Sequence, residues 1–300
     1  PHNLVRTQSL PANAAFVVIA APQHDLLAGE VAILKKYVEE GGNLLWLHDP
    51  GGLRGLQPLE ELLGIRIHEG TVVDANQTLQ ALLGINHPAV VPVVDYSNAE
   101  VVRKLAGVQT LFPFATAVER DPQAQSKADG LAWQADEFLM SLPTSWLESS
   151  GTLEGSVKFD AGSNDKAGPV SLGVTLTRQV STPRPTVAET QSGNAKAAQE
   201  EAAQDKAEQV REQRIAVVGD SDFMLNAFLA QGANLDLATN LFNWLSADDN
   251  LLQIPLIRAP DTELVISETS GIAIGVFFLV VLPLSLLLTG VWIWWRRRSR

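Results

Sequence analysis

The sequence contains no cysteine, which removes thiol nucleophiles, disulfides and thiolate metal sites together and suits either side of a bacterial membrane. Basic residues are scarce as well. There are 22 Lys and Arg against 34 Asp and Glu, and four of the arginines lie from Arg296 onward in a tail without a carboxylate. The rest of the chain therefore sets eighteen basic residues against thirty-four acidic ones, a net of −16. So acidic a surface repels phosphate backbones and anionic headgroups, which argues against nucleic-acid or general lipid-surface binding. The five histidines (His2, His24, His48, His68 and His87) form no HxH, HExxH or i,i+4 pair, so no metal and no cofactor is expected. No GxxxxGK followed by Ser or Thr occurs, and Gly51-Gly52-Leu53-Arg54-Gly55 follows no GxGxxG pattern. The chain is not itself a P-loop ATPase.

What is present is a chain of 300 residues, 46% hydrophobic, long enough for one large or two small globular domains. Its strongest signal is Gly271–Trp295, twenty-five residues without an ionisable side chain, followed at once by Arg296, Arg297, Arg298 and Arg300. At about 1.5 Å per residue this run spans roughly 37 Å, more than a hydrocarbon core of about 30 Å. It reads as a transmembrane helix with Pro283 as a kink. Trp292, Trp294 and Trp295 sit at the headgroup edge, and the arginines mark the cytoplasmic end. Residues 296–300 are then a cytoplasmic tail, and residues 1–270 an extracytoplasmic, in a bacterium periplasmic, domain. The start at Pro1 points to a processed or truncated beginning.

Within 1–270, Ala14–Ala20 and Asn43–Leu47 are continuous apolar runs. Between them Val31, Leu34 and Val38 form a helical stripe ended by Gly41 and Gly42. Strand, helix and strand, both strands apolar throughout, mark a βαβ unit in a parallel sheet covered on both faces. Val90–Val94, Val170–Leu176 and Ile215–Val218 read as further strands, and Asp236–Leu245 as a closing helix. The expected fold is a doubly wound α/β domain with a mostly parallel sheet. Residues 181–213, rich in Ala, Gln, Glu and Lys, read as a low-complexity surface insertion with a fluctuating helix at 195–213. Residues 120–165, with Trp133 and Trp146, carry no assignable pattern.

Ligands of open α/β sheets gather beyond the carboxyl ends of the strands. Three polar clusters are expected there: Gln23-His24-Asp25, His48-Asp49-Pro50-Gly51-Gly52 and Gly219-Asp220-Ser221-Asp222. The candidate ligand residues are His48, Asp49, Asp220, Ser221 and Asp222, and the same residue types also serve as helix caps and turns. Gly219-Asp220-Ser221 invites comparison with the GDS block of GDSL-type hydrolases, but every histidine precedes Gly219, so the order of that triad is absent.

Taken in order, Phe16–Ala20, Leu34–Leu45 (LKKYVEEGGNLL), Arg214–Phe223 (RIAVVGDSDF), Asn240–Leu245 and Leu282-Pro283-Leu284 through Gly290 to Trp294–Arg298 resemble the gliding-motility-associated, GldG-type auxiliary components of ABC transport systems. The similarity covers most of the chain outside 181–213. It implies an extracytoplasmic domain related in fold to class I glutamine amidotransferase-like domains, without that class's catalytic cysteine, held beside an ABC permease and its ATP-binding subunit in the bacterial inner membrane. It implies no enzymatic activity, and an N-terminal membrane helix ahead of Pro1. A periplasmic ligand-binding or sensing module, and a membrane-tethered hydrolase using Ser221, are the alternatives. One membrane helix forms no transport pathway, so partners are required.

Overall fold

The computed structural model of the chain describes residues 4–7, 9–11, 13–85, 87–123, 132–149, 153, 157–182, 209–246 and 276–298. It divides into two compact units, Pro1–Ile254 and Pro255–Arg300.

In the first unit, a short helix α1 (Leu4–Thr7) precedes β1 (Val17–Ala20), α2 (Ala28–Glu39) and β2 (Leu44–Leu47), the βαβ unit expected from the pattern. The backbone N–H of Leu27 is held by the Glu30 carboxylate at 2.9 Å, which starts α2. Val31, Leu34 and Val38 bury its stripe. After the helix, Gly42 lies so close to the Tyr37 ring that a Cβ would fall 2.2 Å from it. Tyr37 in turn donates to the Asn43 carbonyl at 3.0 Å, which fixes the angle at which the chain enters β2. All four residues of β2 are buried. By strand alternation Leu44 and Trp46 face α2, while Leu45 and Leu47 face the opposite side.

The strand beside β2 is not the next one in sequence but β13 (Gln209–Val218), parallel to it with Ile215 opposite Leu44 and Val218 opposite Leu47. Sheet order is β1, β2, β13, β12 (Ser171–Thr182), β9 (Gln134–Met140) and β6 (Asp95–Tyr96). The first three strands are parallel, and β12, β9 and β6 continue the sheet in antiparallel pairings. The fold is thus mixed α/β. The parallel expectation holds for β1, β2 and β13, but double cover fails at β1, the edge strand, where Val18 and Ala20 are exposed. The parallel pattern does not extend further because the chain leaves this sheet after β2.

Most of the intervening residues build small sheets of their own. Helix α3 (Gln57–Leu63) leads to β3 (Ile65–Ile67), which pairs with β8 (Val118–Arg120). Strand β4 (Thr71–Asp74), followed by helix α4 (Gln77–Leu83), pairs with β10 (Ser145–Glu148), and β10 with β11 (Lys166–Ala167). Val90–Val93 is a strand as expected, β5, but it pairs antiparallel with β7 (Thr110–Pro113) and stands outside the six-stranded sheet. The stretch that carried no pattern supplies β9 and β10. Trp133 packs on the α2 side of the core and donates to the Leu62 carbonyl at 3.2 Å, and Trp146 packs with Val73 and Ala89.

Strands β12 and β13 run well beyond the expected Val170–Leu176 and Ile215–Val218, pairing as far as Thr182 opposite Gln209. Residues 181–182 and 209–213 of the expected insertion are therefore strand, and 183–208, including most of the expected helix, lie outside the described residues. Helix α5 (Asn234–Leu245) buries Leu237, Leu241, Trp244 and Leu245 and touches β2, β13 and β7.

In the second unit, a π-helical turn Phe277–Val281 runs into helix α6 (Leu282–Arg298). Phe277–Arg298 is long and apolar enough to cross a membrane. A widened turn directly before Pro283 accommodates a residue that has no N–H to give the helix. Residues 271–275 and the last two residues lie outside the described set.

Candidate functional site at the carboxyl ends of the parallel strands

The parallel register brings Ala20, Leu47 and Val218 abreast, so the three polar clusters leave the sheet at one level. Two of them meet. The Asp49 carboxylate accepts the Ser221 backbone N–H at 2.8 Å and the Ser221 hydroxyl at 3.0 Å, joining segments 172 residues apart. Asp220 accepts the Asp222 N–H at 2.7 Å, and the His48 N–H donates to the Val218 carbonyl at 2.9 Å. These carboxylates receive the first N–H groups of the tight turn Asp222–Met224, which is what acidic residues do at the start of a helical turn.

The third cluster turns elsewhere. Gln23, His24 and Asp25 are exposed; the Gln23 amide bonds back to the Ala21 carbonyl at 3.0 Å, and Asp25 lies 4.0 Å from Arg54. The Leu26 N–H to Arg54 carbonyl bond, at 2.9 Å, ties this loop to the one after β2.

Gly219 has a steric role in the cluster. An added Cβ would lie 2.1 Å from the Thr116 carbonyl oxygen, and the Thr116 N–H donates to the Gly219 carbonyl at 2.6 Å. Only glycine permits this backbone approach, by which the end of β13 is held to the segment leading into β8.

Burial sets the charges here. Asp220 is fully buried, and desolvation, reinforced by the Asp222 and Asp49 carboxylates, pushes its pKa well above the ordinary aspartate range. Asp222 is raised for the same two reasons, burial first and then Asp49. His48, buried with its ring edge-on to Trp46 at 5.9 Å, is held toward its neutral form by desolvation. Among the described residues, Asp220 Oδ2, His48 Nδ1 and Trp46 Nε1 are buried polar atoms without a hydrogen-bond partner.

The Ser221 hydroxyl bonds to Asp49, and the polar contact of the His48 ring is the Gly51 carbonyl at 3.4 Å, so no serine–histidine pair forms here. Among the described residues no group of three or more His, Cys, Asp or Glu side chains is placed to hold a metal ion.

Sequence reasoning missed three features that the fold assembles from distant residues. Glu119 of β8 lies 3.2 Å from His68 Nε2 and contacts the Lys166 ammonium, and these partners, His68 foremost, pull its pKa down to about 2. Asn234 is fully buried, accepts the Leu111 N–H and donates to the Leu111 and Phe228 carbonyls, clamping β7 to the start of α5. At the other end of the sheet, the carbonyl end of α2 is covered from the long hairpin: Arg178 bonds Val38 and Glu39, Gln213 bonds Val38 and Gly42, and Arg211 bonds Gly41. Cations and amides suit exposed helix carbonyls. A cavity of about 550 Å³ lies beside this junction, lined in part by Leu10, Tyr37, Asn43 and Arg211.

At the end of α6, the Arg296 and Arg298 guanidinium groups stand over the Trp292 and Trp294 rings at 5.6 and 5.2 Å, with Arg297 between them, while Trp295 is exposed.

No curated protein matches the chain. Among solved structures it is similar to the mmIFT52 N-terminal domain, at 18% identity over 78% of each chain with a TM-score of 0.48. The family described as "ABC-type uncharacterized transport system" matches residues 2–252, which spans the α/β unit. The chain belongs to this family of ABC-transport auxiliary proteins.

Proposed function

We propose that the chain is a non-catalytic, membrane-anchored auxiliary subunit of GldG type that presents its α/β domain to an ABC permease and ATP-binding pair. The observation that carries the reading is the family match over 2–252. The apolar helix Phe277–Arg298 supports anchoring in a bacterial inner membrane. Its basic end, Arg296–Arg298, supports an orientation with the carboxyl end cytoplasmic and the acidic domain periplasmic. Kinship with class I glutamine amidotransferase-like domains belongs to the same reading, through the parallel β1, β2 and β13 core.

The rim is consistent with a non-catalytic role, since Ser221 is engaged by a carboxylate rather than by a histidine base. Purification of the tagged full-length chain from native membranes in mild detergent tests the proposal. Recovery of an ABC permease and ATPase in stoichiometric amounts is expected, and recovery of the chain alone refutes it. Ser221→Ala should leave that recovery unchanged.

A second reading, a ligand-binding or sensing module, is favoured by the buried partnerless atoms of Asp220 and His48 at the rim. It requires a sugar, peptide or divalent cation that raises the unfolding temperature in a concentration-dependent manner.

A further inference from the structure

The cavity beside the carbonyl end of α2 lies at the amino ends of β1 and β2, away from the rim. Its volume of about 550 Å³ is that of a site for a small organic molecule. Part of its wall is apolar, formed by Leu10, Ile33 and the Tyr37 ring. The ring is fixed in place by its bond to the Asn43 carbonyl at 3.0 Å and by the close approach of Gly42.

The polar part of the lining is rich in donors. Arg211 uses one guanidinium nitrogen on the Gly41 carbonyl at 2.8 Å, and among the described residues no carboxylate stands within ion-pair distance of it. Lys36 meets Glu40 at 3.7 Å with both side chains mostly exposed, a pairing that contributes little. The third donor is a backbone N–H. In the ladder between β1 and β2 the Val17 N–H bonds the Asn43 carbonyl at 3.0 Å, and the next bond back would run from the Asn43 N–H to Ala15. That bond is not made, because β1 begins at Val17. Asn43 is only 5% exposed, and among the described residues its N–H has no hydrogen-bond partner. A buried donor of this kind costs free energy until an acceptor reaches it.

The charges select the acceptor. Lys36, Arg211 and Glu40 are the charged residues of the lining, a net of +1, on a chain that carries −16 outside its basic tail. A guanidinium without a carboxylate and a free N–H call for the same ligand atom, an anionic oxygen.

We propose that this cavity binds a small organic anion, with its carboxylate or phosphate held by Arg211, Lys36 and the Asn43 N–H and its apolar body against Tyr37 and Ile33. The site is separate from the rim and does not depend on the auxiliary-subunit reading.

Phenyl phosphate is the probe, titrated by calorimetry into the full-length chain in uncharged detergent. Saturable binding is expected, about tenfold or more tighter than that of benzyl alcohol or benzylamine. Arg211→Gln should weaken it by about tenfold or more, and Ala14→Phe, which fills the cavity and leaves its charges in place, should abolish it. Lys35→Gln, on the same helix but outside the lining, should leave it unchanged. Near-ultraviolet circular dichroism establishes that each variant is folded. Equal binding of benzyl alcohol overturns the proposal, as does the lack of saturable phenyl phosphate binding at millimolar concentration. Undiminished binding by folded Arg211→Gln or Ala14→Phe overturns it as well. Repeating the titration in nanodiscs separates two sources of such an anion. Displacement of phenyl phosphate by phosphatidylglycerol but not by phosphatidylcholine assigns the site to a lipid headgroup, and no displacement by either assigns it to a soluble molecule.

Discussion

Replacing Gly219 with alanine tests whether the Gly-Asp-Ser-Asp segment owes its glycine to packing. The new Cβ would lie 2.1 Å from the Thr116 carbonyl oxygen, 2.9 Å from the Thr116 carbonyl carbon and 3.1 Å from a Val118 methyl. Carbon and carbonyl oxygen meet at about 3.3 Å at the closest, so two backbones must part by roughly 1 Å. Neither is the tip of a flexible side chain. The separation strains well-packed surroundings, at about 1–3 kcal/mol. It also pulls apart the 2.6 Å bond from the Thr116 N–H to the Gly219 carbonyl at a buried position, which costs about 1–3 kcal/mol more. A loss of about 4 kcal/mol is a large part of the roughly 5–15 kcal/mol that holds a domain together. At about 2–4 °C per kcal/mol for a domain of this size, the unfolding temperature should drop by roughly 8–16 °C. Near-ultraviolet circular dichroism of the full-length chain in detergent reads this directly, since Trp46, Trp146 and Trp244 are buried in the α/β unit. Gly29→Ala is the internal control. It lies in α2 with nothing within 4 Å of its added Cβ, so it should gain about 0.5–1 kcal/mol from helix propensity. A drop of less than about 1 kcal/mol for Gly219→Ala would refute the close-approach account, and the glycine would then have to be explained by a ligand at the rim.

Three further outcomes are expected. Asn234→Ala strands the Leu111 N–H and carbonyl in a buried site, and should lower the urea midpoint by an amount corresponding to about 3 kcal/mol. Arg178→Ala removes the bonds to the Val38 and Glu39 carbonyls and the stacking on Trp133 at 4.8 Å, and should cost about 2 kcal/mol, with amide exchange accelerating first in the last turn of α2. Two groups lose stabilising contributions in successive stages as the pH falls, while the raised pKa values of Asp220 and Asp222 act in the opposite sense. The pKa of His48 is lowered by burial from its ordinary 6.5, so its contribution is present above 6.5 and is lost as the pH falls below it. Glu119, depressed from 4.5 to about 2, contributes above 4.5 and loses that contribution as the pH falls toward 2. Glu119→Gln should flatten the second stage and leave the first, as followed by unfolding temperature against pH.

The parts of the fold legible in the sequence are those whose signal is local. The apolar run before α2, the Leu44–Leu47 strand, the stripe of α5 and the charge-free helix before Arg296 each carry their own pattern. Sheet membership does not. Val90–Val93 shows the β-branched run of a core strand whether it pairs with β2 or, as it does, with β7. The outer halves of β12 and β13 were hidden for a different reason: residues 177–182 and 209–214 are mostly polar, and what holds them as strand is each other and the α2 carbonyls reached by Arg178 and Gln213. Composition registers the polarity and misses partners about 140 and 175 residues away. At the rim, strand ends and polar residue types located Asp49, Asp220 and Ser221. The Asp49–Ser221 bond itself depends on register between β2 and β13, which no local pattern encodes.

That bond also bears on why a domain with the look of an active-site rim belongs to an auxiliary family. A catalytic serine needs a hydroxyl aimed at open space and a base free to take its proton. Here the hydroxyl and the adjacent N–H both point into one carboxylate, and the carboxylate is occupied by them. Asp220 turns an oxygen to the Asp222 N–H, and burial, with the Asp222 and Asp49 carboxylates beside it, raises its pKa. The Asp49 carboxylate and one oxygen of Asp220 are directed at the next turn of the same chain, while among the described residues Asp220 Oδ2 and His48 Nδ1 remain without a hydrogen-bond partner. The Asp49–Ser221 bonds join the loop after β2 to the loop after β13.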